Sequence, residues 1–302
     1  MGTYFSSPVT KTTSQPINGA VRHLNLVRSK YSSQTKYLKI DRSKTTANPV
    51  VAIDLTQSGK SYPVYNQLAL GSCTANGICG AYWYDLLNNK SDQKVDPNFV
   101  PSRLYFYYKE RAMEGNVATD AGANIADGIQ VLRTNGVCSE GQWPYVVDKF
   151  AEQPPAECDE EAKTHHSVTD RRVNQTLEDI YACLKAGFPI PMGFTVFDSF
   201  EHVKSDGLVS MPQDGEKELG GHCVIIMGYD PSTELFKVQN SWGTEWGKDG
   251  FCYFPKDYIL NDKLAYDFSV VTSIVDEAEI LNRIHNTGKP SYRQALVKSD
   301  RV

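Results

Sequence analysis

The sequence has no run of 18 or more apolar residues, so no stretch of it reads as a membrane-crossing helix. It also lacks any surplus of positive charge. The 31 Lys and Arg against 36 Asp and Glu leave a net charge of −5, which gives no electrostatic reason to expect nucleic acid as a partner. No CxxC pair occurs, and the seven cysteines (73, 79, 138, 158, 183, 223 and 252) are an odd number without the close paired spacing of a zinc site. No metal and no cofactor is therefore expected. The start, MGTYFSSPVTKTTSQPINGAV, has neither the basic opening nor the apolar stretch of a secretory signal, which favours an intracellular chain. Met1-Gly2 with Ser6 does fit the short N-myristoylation pattern. No internal repeat is visible.

What is present suits a packed enzyme-sized body. Hydrophobic residues make up 40% and charged residues 22% of 302 positions, enough for one large domain or two lobes sharing a cleft. Residues 1–47 are polar and rich in Ser, Thr and Lys, and read as an extension; Val21, Leu24, Val27 and Tyr31 fall near helical spacing and predict a short amphipathic helix there. The texture changes near residue 48, and the folded domain is expected to span 48–275, with 276–302 as a charged tail. Helices are predicted over 73–87, 102–113, 124–136 (closed by Gly136) and 176–187 (closed by Gly187), with 148–164 as a Pro- and acid-rich surface crossover. Gly77 and Gly80 inside the first helix each cost about 1 kcal/mol against Ala, so something should pack close to that face. Five strand-like runs follow, PIPMGFTV, HCVIIMGYD, LFKVQNSW, GFCYFP and AYDFSVVTSI. The fold class is α+β in two lobes, helical over about 60–165 and antiparallel β over about 166–275.

Chemistry concentrates at the start of the first helix. Ser72 is a good N-cap, which puts Cys73 at the first helical position, where free amides and the positive helix end favour a thiolate. With an imidazolium beside it, such a thiol can fall to roughly 3–4. Of the six histidines, His23 and His285 lie in the extension and tail and read as solvated, His165 and His166 as a surface pair, and His202 as part of a polar turn. Only His222, in GGHCVIIMGYD, sits at the mouth of an apolar strand. Asn240, in FKVQNSWGTEWG, ends the following strand, where a hairpin would bring it beside His222 to fix the ring, with Trp242 as a roof over that bond. Each signal alone is weak. Most of the other cysteines, Cys223 and Cys252 among them, read as buried small hydrophobes.

Together and in this order, the segments YPVYNQLALGSCTAN, GGHCVIIMGYD and VQNSWGTEWGKDGFCYF resemble the papain-like cysteine peptidases, over most of residues 50–272. The resemblance implies peptide-bond hydrolysis through an acyl-enzyme. It assigns Cys73 as nucleophile, His222 as base and then acid, Asn240 as its orienter, and Gln67 with the Cys73 amide as oxyanion donors. Substrate contacts would fall on Gly122, Ala123, Gly221 and Trp242, and peptides or proteins would be the partners of a monomeric enzyme. Thr74 replaces the family's usual Trp after the nucleophile, and Leu70 stands where a disulfide-forming Cys is common. These departures are similar to those of leaderless relatives in bacteria and large viruses, so an intracellular or virion-packaged enzyme is favoured over a secreted one. The family often carries a leading segment that blocks the cleft, and residues 1–47 are placed to act as such a pro-segment. The competing expectations are an inactive homologue that binds peptides or serves as a structural part, an exopeptidase, and an acyl-transfer variant.

Overall fold

A computed structural model describes residues 14–17, 20–31, 36–45, 51–58, 60, 62–88, 96, 98–166, 171–273 and 277–286. The myristoylation pattern at Gly2 lies outside them. The chain opens with a hairpin of β1 (Ser14–Ile17) and β2 (Ala20–His23), then a one-turn helix α1 (Arg42–Thr45), a short strand β3 (Ile53–Asp54) and a one-turn helix α2 (Leu55–Ser58). Three longer helices build the first lobe: α3 (Cys73–Asn88), α4 (Arg103–Glu114) and α5 (Ile125–Thr134), followed by α6 (Ala156–Ala162). The second lobe contains β4 (Arg171–Arg172), α7 (Leu177–Lys185), β5 (Ile190–Phe197), α8 (Asp198–Glu201), β6 (Glu218–Asp230), β7 (Leu235–Gln239), β8 (Phe251–Pro255), α9 (Lys256–Ile259), β9 (Ala265–Tyr266) and β10 (Ser269–Val270). A last helix, α10 (Glu277–Asn286), follows.

The main sheet runs β8-β7-β6-β5-β9 with β3 paired to β6, all antiparallel. This is the α+β arrangement expected. Helix starts follow their chemistry. Ser102, Asn124 and Thr176 each accept a first-turn amide as N-caps of α4, α5 and α7, which satisfies donors that have no partner inside the helix. Gly136 and Gly187 follow the ends of α5 and α7 with φ of 74° and 89°, the left-handed geometry that glycine adopts without strain. One face of α3 lies on β6: a Cβ on Gly77 would come within 2.8 Å of Cys223 Sγ, and one on Gly80 within 2.6 Å of Tyr62 Oη and 2.9 Å of Ile225 Cδ1. The two glycines let the helix backbone approach the sheet.

Three expectations are corrected. Residues 24–30 form no helix; Asn25 makes a parallel bridge to Gly221, and Leu24, Asn25 and Leu26 are all buried while Val27 is exposed. The acidic crossover includes α6, because Cys158 and Ala162 bury into the core. The tail begins with α10, whose Ile280 and Ile284 are buried. Two histidines read as solvated have partners instead: the Asp41 amide donates to His285 Nε2 at 2.9 Å, and His23 Nδ1 lies 2.7 Å from Asp120 Oδ2.

Candidate active site

Cys73 is the first residue of α3, and the Ser72 carbonyl accepts from the Asn76 amide at 3.0 Å. The Ser72 hydroxyl is engaged by Tyr145 Oη at 2.6 Å and Asn76 Nδ2 at 3.0 Å. Tyr145 Oη also donates to the Gln67 carbonyl at 2.9 Å, so one tyrosine ties the helix start to the segment that precedes it. Residues 65–67 are in turn stitched to 241–243: the Gln67 amide donates to Ser241 O at 2.8 Å and the Gly243 amide to Tyr65 O at 3.0 Å. The Gln67 side chain donates to Leu70 O at 2.9 Å and accepts from Ser241 Oγ at 2.6 Å, which fixes its orientation.

His222 lies on β6 and Asn240 just past β7, the hairpin partner, and their side chains meet with Nε2 2.8 Å from Oδ1. The Ser241 amide donates to the same Oδ1 at 2.8 Å, so the carboxamide presents its oxygen to the ring. Trp242 stacks on the imidazole with centroids 4.9 Å apart and planes 28° apart. His222 Nδ1 is buried without a hydrogen-bond partner among the described residues. The residue after it, Cys223, turns its backbone N–H toward the Cys73 sulfur, which brings helix start and strand together.

Both titratable groups are fully buried. Burial pushes the Cys73 thiol up to about 12, against opposing hydrogen bonds from backbone N–H groups. It pushes His222 down to about 4, with Arg22 acting in the same direction and the Asn240 bond against it. In this closed molecule the neutral thiol and neutral imidazole are the favoured forms, in contrast to the low thiol pKa that a helix start predicts.

What closes it is the chain's own N-terminal segment. Leu26 N–H donates to Gly221 O at 3.1 Å and Val27 N–H to Ala123 O at 3.2 Å. Asn25 crosses Gly122, whose φ of 77° and contact with the Asn25 backbone leave no room for a side chain. The Arg22 guanidinium lies 5.4 Å from the Trp242 ring centre. Each of the four positions expected to contact substrate is thus covered by a residue between 22 and 27.

Asp120 was not singled out from the sequence. It accepts the Gly71 amide at 3.0 Å, is hydrogen-bonded by Tyr107 Oη, and faces His23. Its only sequence signal was its place two residues before Gly122. His165 stacks on Phe99 with centroids 3.7 Å apart, and His166 Nδ1 sits 3.0 Å from Lys163 O, so neither joins these contacts.

The profile described as Papain family cysteine protease matches residues 51–266. An uncharacterized peptidase C1-like protein, L477, of Acanthamoeba polyphaga mimivirus is 39% identical over 221 residues, covering 70% of each chain. Human cathepsin L2 is 28% identical over 215 residues, 68% of this chain and 60% of its own. Among solved structures, xylellain, a cysteine protease from Xylella fastidiosa, superposes with a TM-score of 0.78 at 30% identity, covering 89% of this chain and all of its own. Procathepsin B of Trypanosoma congolense, at 18% identity and a TM-score of 0.59 over 82% of this chain and 86% of its own, shares the fold. With the matched profile spanning both the Cys73 helix and the His222–Asn240 hairpin, the chain belongs to the papain family of cysteine proteases.

Proposed function

We propose that the chain is a cysteine endopeptidase whose residues 22–31 hold it closed as a zymogen. The observation that carries this reading is the backbone pairing of Leu26 and Val27 to Gly221 and Ala123 on opposite walls of the cleft. On this reading the peptidase domain spans residues 48–275.

Once the segment leaves, water reaches Cys73 and His222 and the burial penalty on their charged forms falls. The thiol proton passes to His222 Nδ1, and Asn240 keeps the ring oriented through Nε2. The Cys73 thiolate attacks the scissile carbonyl carbon and forms a C–S bond. The resulting oxyanion is met by the Cys73 amide and the second N–H of Gln67, a donor worth about 10²–10³ in rate. Collapse breaks the C–N bond, and the imidazolium proton goes to the leaving amine. His222 then takes a proton from water, whose oxygen displaces the thiolate and releases the acid.

The test is Leu26→Asp in the full chain, followed on a short fluorogenic peptide. Leu26 is 6% exposed, with Gly193 and Tyr266 beside it, so a charge there should eject the segment. Wild type should show a lag and a mass shift as the segment is cut; the variant should start at full rate. Equal initial rates without processing would sink the zymogen reading, and inactivity of both would sink the peptidase reading.

A further inference from the structure

Beneath the start of α3 lies a carboxyl group that the scheme above does not use. Glu110, on α4, has no exposed surface, and neither has Thr74, the residue after Cys73. The Thr74 hydroxyl donates to Glu110 Oε2 at 2.8 Å. Glu110 Oε1 has no hydrogen-bond partner among the described residues. It lies over Gly128 of α5, where a Cβ would come within 2.5 Å of it. Arg111, next in sequence, is turned elsewhere: its guanidinium donates to the carbonyls of Val117, Thr119 and Phe150. Lys109 pairs with Asp159, 2.6 Å away.

A carboxylate in this position would offer about four acceptor sites to a single donor. Without a cation or further donors, the charged form is the disfavoured one. Burial accordingly pushes the Glu110 carboxyl well above its usual range; the Thr74 bond and Arg111 oppose the rise, while Glu114 and Asp127 add to it. The titratable and charged groups around it are Cys73 and Cys79 from α3, Arg111 and Glu114 from its own helix, Asp127 from α5, Cys223 from β6, and Arg103 and Glu140, which act on Cys79.

We propose that Glu110 is a positioning residue for Cys73: as an uncharged acid it holds Thr74, and with it the first turn of α3, beneath the nucleophile. This rests on the reading of Cys73 as the nucleophile. Ionised, Glu110 would work against the site, because its charge raises the Cys73 thiol and disfavours the thiolate. It would also demand donors that the packing of α3, α4 and α5 does not supply.

The experiment uses the full chain opened by Leu26→Asp, the reference against which Glu110→Gln and Thr74→Val are each compared in that same background. Two quantities are read between pH 5 and 9: the rate of Cys73 alkylation by iodoacetamide, mapped by mass, and the thermal unfolding midpoint. Glutamine keeps the acceptor for Thr74 and cannot ionise. At pH 6 its alkylation rate should stay within about twofold of the reference, since the hydrogen bond is retained. Thr74→Val should be slower by about fivefold, the size of one lost hydrogen bond, while still unfolding cooperatively. The midpoints carry the sign of the charge. A carboxyl raised in the folded chain contributes stability that is full below its unfolded value of 4.5 and lost as pH climbs toward the folded value. Glu110→Gln should therefore gain on the reference as pH rises from 5 to 8.

A loss of about tenfold or more in Glu110→Gln would mean that Cys73 needs the negative charge, and the proposal fails. It fails equally if the midpoint difference ignores pH, or if Thr74→Val alkylates like the reference. Alkylation in the opened Leu26→Asp chain that does not favour Cys73 over Cys79 or Cys138 would instead overturn the nucleophile assignment.

Discussion

The proposed mechanism needs Cys73 and His222 charged, whereas the closed structure favours both as neutral groups. A helix start stabilises an anion by about 1 kcal/mol at most exposed sites, worth less than one step of pH. Burial in the closed molecule moves the thiol from 9.0 to about 12, so desolvation outweighs the dipole while the cleft is covered. The prediction at this scale is that Cys73 in the unprocessed chain alkylates slowly at pH 6 and at least tenfold faster in Leu26→Asp, with the other six cysteines unchanged; about one unfavourable pKa step is enough for that factor. If the two proteins label alike, burial by the segment does not control the thiol. Within the processed enzyme, His222→Ala should lower kcat/KM by about 10²–10⁴, the range of acid–base catalysis, and Asn240→Ala by less, because it orients the ring and moves no proton. Near-normal turnover in His222→Ala would refute the base assignment. The sequence motifs named these residues, yet the protonation of the closed state depends on what covers them.

Among the elements, α3 carries Cys73 and β6 carries His222, and their closeness depends on Gly77 and Gly80. Alanine is the better helix former by about 1 kcal/mol, so a Gly80→Ala substitution on an open helix would stabilise. Here the added methyl meets Tyr62 Oη at 2.6 Å and Ile225 Cδ1 at 2.9 Å. Overpacking of that kind costs about 1–3 kcal/mol, so denaturant unfolding should report a net loss. A gain would show that the helix can slide off the sheet without penalty. The long helices and strands were legible in the sequence because their apolar spacing is sustained and their ends carry Ser, Asn, Thr or Gly. The 20–31 segment was not, because four apolar residues near helical spacing also fit an extended chain, and its amides find partners on Gly221 and Ala123. Helix α10 was missed for a related reason: only its few isoleucines and leucine signal it, and the core that buries Ile280 and Ile284 comes from distant elements.

For the whole molecule, the proposed closure implies a dependence on pH. His222 is held at about 4 in the closed chain against an ordinary 6.5, chiefly by burial. A depressed value means that the closed form has its full advantage above 6.5 and loses it as pH falls toward 4, because the opened or unfolded chain takes up the proton first. Each pH step in that window favours opening by up to about tenfold. The lag before wild-type activity should accordingly be shorter at pH 4.5 than at pH 7.5, and a lag independent of pH would exclude this linkage.

By itself the sequence determined the α+β order of elements, the thiol at a helix start, and the histidine and asparagine on neighbouring strands, because these follow from local spacing and residue chemistry. Only the tertiary structure decided that residues 22–27 lie in the cleft, that Asp120 meets His23, and that Thr74 rests on Glu110. Those contacts join positions as far apart as Leu26 and Gly221, where neither partner has a periodic signal of its own. They arise because buried backbone amides and polar side chains must find partners wherever the packed lobes bring them.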